Sequence, residues 1–232
     1  MALYFRIMNI DPENPGWMER DRLILSKGHS SPGYYTALAK RGYFDEALLD
    51  TFDQIDSRLQ AHPDMNKCPG VDYSTGSLGQ GLSIGIGMAE AGRLKNLKFT
   101  TFVLIGDGEA QEGQIWEALM YAGVNRVKNL VAVFDCNQVQ LSALLSDSIE
   151  LTPFSDKLKA FRWSVIEANG NNMEDVCSAL ARAKEESGQG PVAVIAHTVK
   201  GCGVSFMENK YQWHGKAPND EQLELALKEL GG

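Results

Sequence analysis

Short apolar runs alternate along the chain with segments of helical periodicity, and this alternation constrains the fold more than any other feature. The runs lie at residues 99–105, 130–134, 164–167 and 192–196, and several of them lead into Gly, Asp or Asn. Strands that alternate with helices are typical of a parallel sheet whose two faces are covered by helices. We therefore predict an α/β fold, with a parallel sheet sandwiched by helices.

The segment between the first two strands has the spacing of a helix. Within residues 111–124, Ile115, Leu119 and Ala122 recur at helical intervals, and Gly123 lies near the expected helix end. A strand, a helix and a second strand in this order predict one βαβ unit, with the two strands side by side.

Two further amphipathic helices are predicted in the second half of the chain. They cover residues 173–186 and 221–230. The second has a capping residue at Asn219 or Asp220, and Gly231 and Gly232 are suited to end it.

Composition limits the classes of protein to which the chain can belong. Its 232 residues are 44% hydrophobic, which is enough for one sizeable core, so we expect residues 1–232 to form a single domain. A formal charge of -8 argues against a nucleic-acid partner, because phosphate backbones attract clustered Lys and Arg. We also expect no membrane segment and no signal peptide, and hence a cytoplasmic protein.

A candidate metal site follows the ends of the first two strands. Gly106, Asp107 and Gly108 end one strand, and Asn137 follows the next. Because the carboxyl ends of adjacent parallel strands open onto one crevice, Asp107 and Asn137 are expected to face the same ion. Carboxylate and amide oxygens suit Mg²⁺, which usually completes its shell with phosphate and water. A diphosphate is therefore the expected bridging ligand, and the two glycines allow close backbone approach.

The Gly-Asp-Gly motif alone is equally consistent with an ordinary turn after a strand. Support for a site comes from Asn137 and from a second glycine-rich stretch at residues 74–92. That stretch also has a structural interpretation, as a helix packed tightly on the sheet, which we favour for Gly85 and Gly87. The residues that precede the helix are better placed to contact a ligand: Gly76, Ser77 and Leu78.

The assembled motifs resemble the N-terminal subunit of split transketolases, the counterpart of the diphosphate-binding half of full-length transketolase. The likeness covers essentially the whole chain and includes SKGH, AHPD, STGSLGQG, GDGEAQEGQIWEA, TVKGCGVSFME and WHGKAP. The AQEG and IWEA segments resemble transketolase more than pyruvate dehydrogenase or deoxyxylulose phosphate synthase. The resemblance implies a thiamine diphosphate-binding fold, with thiamine diphosphate and Mg²⁺ as cofactors.

The resemblance also implies roles for individual residues. Asp107, the Asn137 side chain and the Val139 carbonyl would bind Mg²⁺. The cofactor would contact these residues: His29, Gly76, Ser77, Leu78, Gly106, Gly108, Glu109, Asn137 and His214.

Catalytic roles are implied for His62, His214 and Glu112. The two histidines would lie near the reacting sugar, and Glu112 would support a glutamate of a partner protein that activates the cofactor. The remaining histidine, His197, lies at a strand end, and we interpret it as structural.

The sequence departs from the family pattern at several places, two of which concern the site. Relatives have an earlier helix with a Gly-His-Pro motif, which this sequence lacks, and residues 2–10 look like the end of a helix. After Asn137, where the family usually has Asp-Gly, residues 140–143 read Gln-Leu-Ser-Ala.

The resemblance predicts a transketolase subunit that transfers a two-carbon ketol unit from a ketose phosphate to an aldose phosphate. The aminopyrimidine would be bound by a separate pyrimidine-binding subunit, in a heterotetramer with two copies of each chain. Two alternatives are a subunit of another thiamine diphosphate lyase or synthase, and a truncated, non-catalytic binding or scaffold protein.

Overall fold

A five-stranded parallel sheet forms the centre of the computed structural model, which describes residues 1–231. The strand order is β1-β2-β3-β5-β4. The strands are β1 (Arg22–Leu25), β2 (Thr101–Gly106), β3 (Leu130–Cys136), β4 (Ser164–Asn169) and β5 (Val192–His197). The predicted α/β class and the strands β2 to β5 are confirmed, with ends displaced by up to two residues, whereas β1 was not predicted.

Six α-helices accompany the strands in the part of the chain that the structure describes. They are α1 (Ser31–Arg41), α2 (Gly81–Leu94), α3 (Gly113–Asn125), α4 (Phe154–Ala160), α5 (Met173–Glu186) and α6 (Asp220–Glu229). The helices α3, α5 and α6 are confirmed close to their predicted bounds, and α2 confirms the helical interpretation of the second glycine-rich stretch. Helices α1 and α4 were not predicted.

The capping of α6 resolves a choice that the sequence left open. Asn219 is the N-cap, and its side chain and that of Gln222 each accept a hydrogen bond from the other's backbone amide. Gly231 adopts a positive φ of 83° directly after the helix, whereas Gly232 lies outside the described residues.

Alternate residues of each strand face opposite helical layers. Leu23, Leu25 and Phe102 belong to the core that contains α1 and α5, whereas Ile24 and Val103 belong to the core beneath α2, α3 and α4. Burial on both faces explains the nearly continuous apolar runs of the strands. No helix within residues 1–231 combines the length and hydropathy needed to cross a bilayer.

The two glycines of α2 that we attributed to packing differ in their surroundings. A Cβ atom at Gly85 would lie 2.4 Å from Cγ2 of Val103, so the close helix-to-sheet contact predicted there is confirmed. The same explanation is wrong for Gly87, which is exposed and would place a Cβ in open space. Two residues along a helix turn the side chain to the opposite face, so Gly85 and Gly87 cannot both face the sheet.

The N-terminal residues form a short helical turn. Leu3–Ile7 adopt π-helical geometry, Tyr4 is buried, and its hydroxyl donates to Tyr34 Oη at 3.2 Å. Phe5 is 46% exposed, while Leu3 and Ile7 pack partly against the core. The helical character expected for residues 2–10 is therefore confined to one turn, beside an apolar cavity of about 500 Å³.

Candidate cofactor site

A cleft of about 910 Å³ opens at the carboxyl ends of β1, β2 and β3. The predicted adjacency of the two motif-bearing strands is observed, since β2 pairs with β3 in parallel and Gly106 is in register with Asp135. Most of the predicted site residues line this cleft: His29, Leu78, Gly106, Asp107, Gly108, Glu109, Glu112, Asn137, Val139 and His214.

Asp107 lies at the base of the cleft and is only 2% exposed. Its Oδ1 accepts a hydrogen bond from the Gly108 amide at 2.8 Å, and its Oδ2 accepts one from the Gln138 amide at 2.6 Å. Burial raises the pKa of Asp107, although the two amide donors oppose that shift. A cation bound here would compensate the buried charge directly.

Asn137 and Val139 lie in the turn that follows β3. The Val139 amide donates to Asn137 Oδ1 at 3.0 Å, and Asn137 Nδ2 donates to Asp135 Oδ2 at 3.4 Å. The bridge between Val139 and Leu144 uses the carbonyl groups of Gln138 and Ala143 rather than that of Val139.

The described residues offer no cluster of protein ligands that could hold a metal ion by itself. Within residues 1–231, no three or more His, Cys, Asp or Glu side chains are grouped so that they could hold a metal. A hard cation in the cleft would therefore take a carboxylate from Asp107, neutral oxygens from Asn137 and Val139, and further oxygens from a ligand.

Two lysines line the cleft, and the sequence motifs alone assigned them no role. Lys27 Nζ lies 2.5 Å from Asp135 Oδ2, and Lys200 has a lowered pKa because of desolvation and the nearby Lys27. Both occur inside matched motifs, SKGH and TVKG, and that position was the available signal. Their positive charges make this side of the cleft suited to an anion.

His29 and His214 face each other across the same cleft, with ring centroids 5.1 Å apart. Desolvation, followed by the charges of Lys27 and His214, lowers the pKa of His29 to about 4. Desolvation and the charges of Lys200 and Lys27 also lower the pKa of His214. Both rings are therefore neutral near pH 7.

An unsatisfied polar atom identifies where a ligand fits between these groups. Nδ1 of His214 is shielded from solvent and has no hydrogen-bond partner among the residues that the structure describes. Leaving such an atom unpaired is costly, and a phosphate oxygen would satisfy it. A side chain at Gly108 would crowd the cleft, because its Cβ would lie 3.1 Å from Cβ of Gln140, which also lines the cleft. The residues present fit a diphosphate.

Three predicted residues lie beside the main cavity rather than in its lining: His62, Gly76 and Ser77. Gly76 has a φ of +150°, and a Cβ there would be 3.1 Å from Cγ of His62, so the glycine packs on this exposed ring. His62 is also among the groups whose charge lowers the pKa of His29. The three residues therefore form a rim beside the cleft, on the side of His29.

Glu109 and His197 are engaged by the protein itself. Glu109 is 3% exposed and accepts hydrogen bonds from Ser26, Gly79 and Gly106. His197 is exposed, and its Nε2 lies 2.9 Å from Glu167 Oε2, outside the lining of the cleft.

Comparison with known proteins identifies the family. The family model described as "Transketolase, thiamine diphosphate binding domain" matches residues 1–232. The chain belongs to the transketolase family. It is thus a transferase of the thiamine diphosphate-dependent class.

Two similar relatives are named as transketolase subunits. The chain is 46% identical to 6-deoxy-6-sulfo-D-fructose transketolase subunit SqwG of Clostridium sp. (strain MSTE9), over 99% of this chain and 83% of that protein. It is 42% identical to an apulose-4-phosphate transketolase subunit of Actinobacillus succinogenes, over 99% of this chain and 82% of that protein. Human transketolase is 35% identical, and there the match spans 36% of the longer protein.

Solved transketolase structures share the fold. The enzyme from Leishmania mexicana superposes with a TM-score of 0.91 at 29% identity, over 99% of this chain and 36% of that one. A transketolase from Pichia stipitis, in complex with fructose 6-phosphate, gives a TM-score of 0.89 at 26% identity, over 99% of this chain and 35% of that one. The thiamine diphosphate-binding fold implied by the sequence motifs is confirmed.

Proposed function

We propose that this chain is the diphosphate- and Mg²⁺-binding subunit of a two-subunit transketolase. The observation that carries the proposal is the cleft itself, where the buried carboxylate of Asp107 lies among two lysines and two neutral histidines. Glu109 is also buried there, but its two oxygens already accept hydrogen bonds from Ser26, Gly79 and Gly106. A site with so few protein ligands suits a metal that bridges to a diphosphate better than a metal held by protein alone.

Different residues of the cleft bind the metal and the diphosphate in this proposal. Asp107 provides charge for Mg²⁺, with neutral oxygens from Asn137 and Val139. Lys27 and Lys200 compensate the charge of the diphosphate, and the neutral rings of His29 and His214 donate hydrogen bonds to its oxygens. When bound, thiamine diphosphate supplies the electron sink for carbon–carbon cleavage and transfer of a two-carbon ketol unit.

The rim of the cleft is assigned to the substrate and to the second subunit. His62, which packs on Gly76, and His214, which lines the cleft, would contact a sugar phosphate. Leu78 and Glu112 are exposed at the mouth, where a pyrimidine-binding subunit would cover the other end of the cofactor. Glu112 would then support the partner glutamate that activates the aminopyrimidine.

An uncovered apolar surface on α3 supports a partner subunit. Met120, Tyr121 and Val124 are 49, 53 and 59% exposed along the helix that begins at the cleft mouth. Contiguous exposed apolar residues mark interaction sites more often than free surface. The family resemblance favours two copies of each chain, in a heterotetramer.

Reconstitution with the candidate partner subunit tests the proposal. The chain is assayed with thiamine diphosphate, Mg²⁺ and a ketose phosphate donor, in the presence and absence of the partner. Ketol transfer is expected only from the mixture, and full turnover by the chain alone would contradict a split site.

Two further measurements on the same mixture separate the alternatives. Consumption of an oxoacid in place of a ketose would indicate another thiamine diphosphate lyase or synthase. Calorimetry without cofactor binding by the folded mixture would indicate a non-catalytic scaffold.

A further inference from the structure

The buried carboxylate of Glu109 joins three segments that form the cleft. Its Oε2 accepts a hydrogen bond from the Gly106 amide at the end of β2, at 3.1 Å. Its Oε1 accepts one from the Gly79 amide in the second glycine-rich loop, at 2.9 Å, and another from the hydroxyl of Ser26 at the end of β1.

Ser26 extends these contacts to the start of α2. Its hydroxyl oxygen accepts a hydrogen bond from the Gly81 amide at 3.1 Å while its proton is donated to Glu109. The packing leaves no space for adjustment, since a Cβ at Gly81 would lie 2.3 Å from Ser26 Oγ. Glu109 therefore fixes, directly or through one hydroxyl, the backbone at Gly79 and Gly81, which follows the loop that carries Gly76 and Leu78.

These contacts use Glu109 differently from a cofactor ligand. Both of its oxygens accept hydrogen bonds from protein donors, and the side chain is almost completely buried. Glu109 lies between two glycine-rich loops that have different roles in the proposed function. Gly106 and Gly108 flank the metal ligand Asp107, and the Gly76–Leu78 loop lies at the rim.

We infer that Glu109 is a positioning residue that sets the spacing between the metal and diphosphate loop and the rim loop. The inference rests on the proposed function for the identity of the ligand, whereas the hydrogen bonds that hold the two loops do not depend on that proposal. An ionised carboxylate accepts at both oxygens, so it satisfies two amides and a hydroxyl at once. A glutamine has only one acceptor oxygen, and its amide nitrogen would face a backbone donor. Glu109→Gln should therefore release one of the two loops.

Hydrogen exchange on the isolated chain without cofactor tests whether Glu109 holds the two loops. In Glu109→Gln, exchange should accelerate by about tenfold either in residues 76–81 or at Gly106, depending on which loop is released, since this is the change that loss of one charge-assisted hydrogen bond produces. The matched control is Glu185→Gln, the same change at an exposed glutamate of α5, which should exchange like the unmodified chain. Ser26→Ala is the second variant, and its effect should be confined to the start of α2.

Cofactor titration then tests whether the hydrogen bonds of Glu109 affect cofactor affinity. In calorimetry with thiamine diphosphate and Mg²⁺, on the chain assembled with its partner, Glu109→Gln should weaken affinity about tenfold while Glu185→Gln leaves it unchanged. Weaker binding with unaltered loop exchange would make Glu109 a direct ligand and overturn the inference. Accelerated exchange through all five strands would reduce Glu109 to a general stability residue and overturn it as well. Failure of the unmodified assembly to bind would instead refute the proposed function, since the exchange result is obtained without cofactor.

Discussion

The carboxylate of Asp107 accepts a hydrogen bond from the backbone amide of Gln138, 2.6 Å away, across the carboxyl ends of β2 and β3. Gln138 has a positive φ of 63°, so this contact holds a turn that a residue other than glycine rarely adopts. The same turn carries Asn137 and Val139. Asp107 therefore contributes to the proposed metal site both as a ligand and by shaping the loop that supplies the neutral ligands.

Replacing Asp107 should have a larger effect than replacing Asn137. Asp107→Ala removes the one charged ligand and the acceptor for the Gln138 amide, so Mg²⁺-dependent binding of thiamine diphosphate should be lost in calorimetry. Asn137→Ala removes a neutral ligand and should weaken binding by about tenfold to a hundredfold. Equal affinity in Asp107→Ala and the unmodified chain would exclude Asp107 from the site.

His29 should make the folded chain less stable on acidification. Its pKa is lowered from 6.5 to about 4, so between these values the unfolded chain binds a proton that the folded chain does not. Stability is thus fully retained above pH 6.5 and falls as the pH decreases toward 4. Urea unfolding at pH 7.5 and pH 5 should show a smaller loss for His29→Gln than for the unmodified chain. An NMR titration midpoint of His29 near 6.5 would contradict the explanation.

Gly76→Ala should disturb the rim rather than the metal. The new methyl group would lie 3.1 Å from Cγ of His62, on a residue with a φ of +150°, so the loop must shift and the ring must move. We expect kcat/KM for the ketose donor to fall by about tenfold with a smaller change in Mg²⁺ affinity. Gly87→Ala is the matched control, since its methyl group meets open space, and it should stabilise α2 by up to about 1 kcal/mol. Unchanged donor kinetics in Gly76→Ala would place His62 outside the reaction.

The parts of the fold that were predictable have strong local signals. Strands β2, β3 and β5 are long apolar runs buried on both faces, and α5 combines amphipathic periodicity with an Asn172 cap whose side chain accepts two amide bonds. In contrast, β1 has only four residues, and its first, Arg22, is held by Asp72, 50 positions away. Such a strand depends on tertiary contacts that periodicity does not record.

The candidate site likewise combines residues that the sequence predicts with residues that only the fold brings together. Asp107 and Asn137 were predictable because each follows a strand whose neighbour could be inferred from a βαβ unit. The Glu109 contacts were not, since they join Ser26, Gly79 and Gly106 across 83 residues of sequence. Lys27 and Lys200 also come together only through the fold, on loops after β1 and β5.

The exposed face of α3 should carry the contact with the partner subunit. Tyr121 is 53% exposed between Met120 and Val124, on a helix whose opposite face packs into the core through Ile115 and Leu119. Tyr121→Glu places a charge at the centre of this apolar surface. Because aromatic residues at the centre of an interface often contribute about 2 kcal/mol or more, the dissociation constant for the partner should increase by roughly 30-fold or more.

Comparison with a second exposed apolar residue makes the test of Tyr121 specific. Ile55 is 95% exposed in the loop that follows α1, away from α3, so Ile55→Glu should leave the affinity for the partner unchanged. Neither substitution should lower the melting temperature of the isolated chain, because both side chains are solvated there. Ketol transfer by Tyr121→Glu should recover at high partner concentration, since the cleft itself is intact. A partner affinity that is insensitive to Tyr121→Glu, measured by biolayer interferometry, would show that the second subunit binds elsewhere.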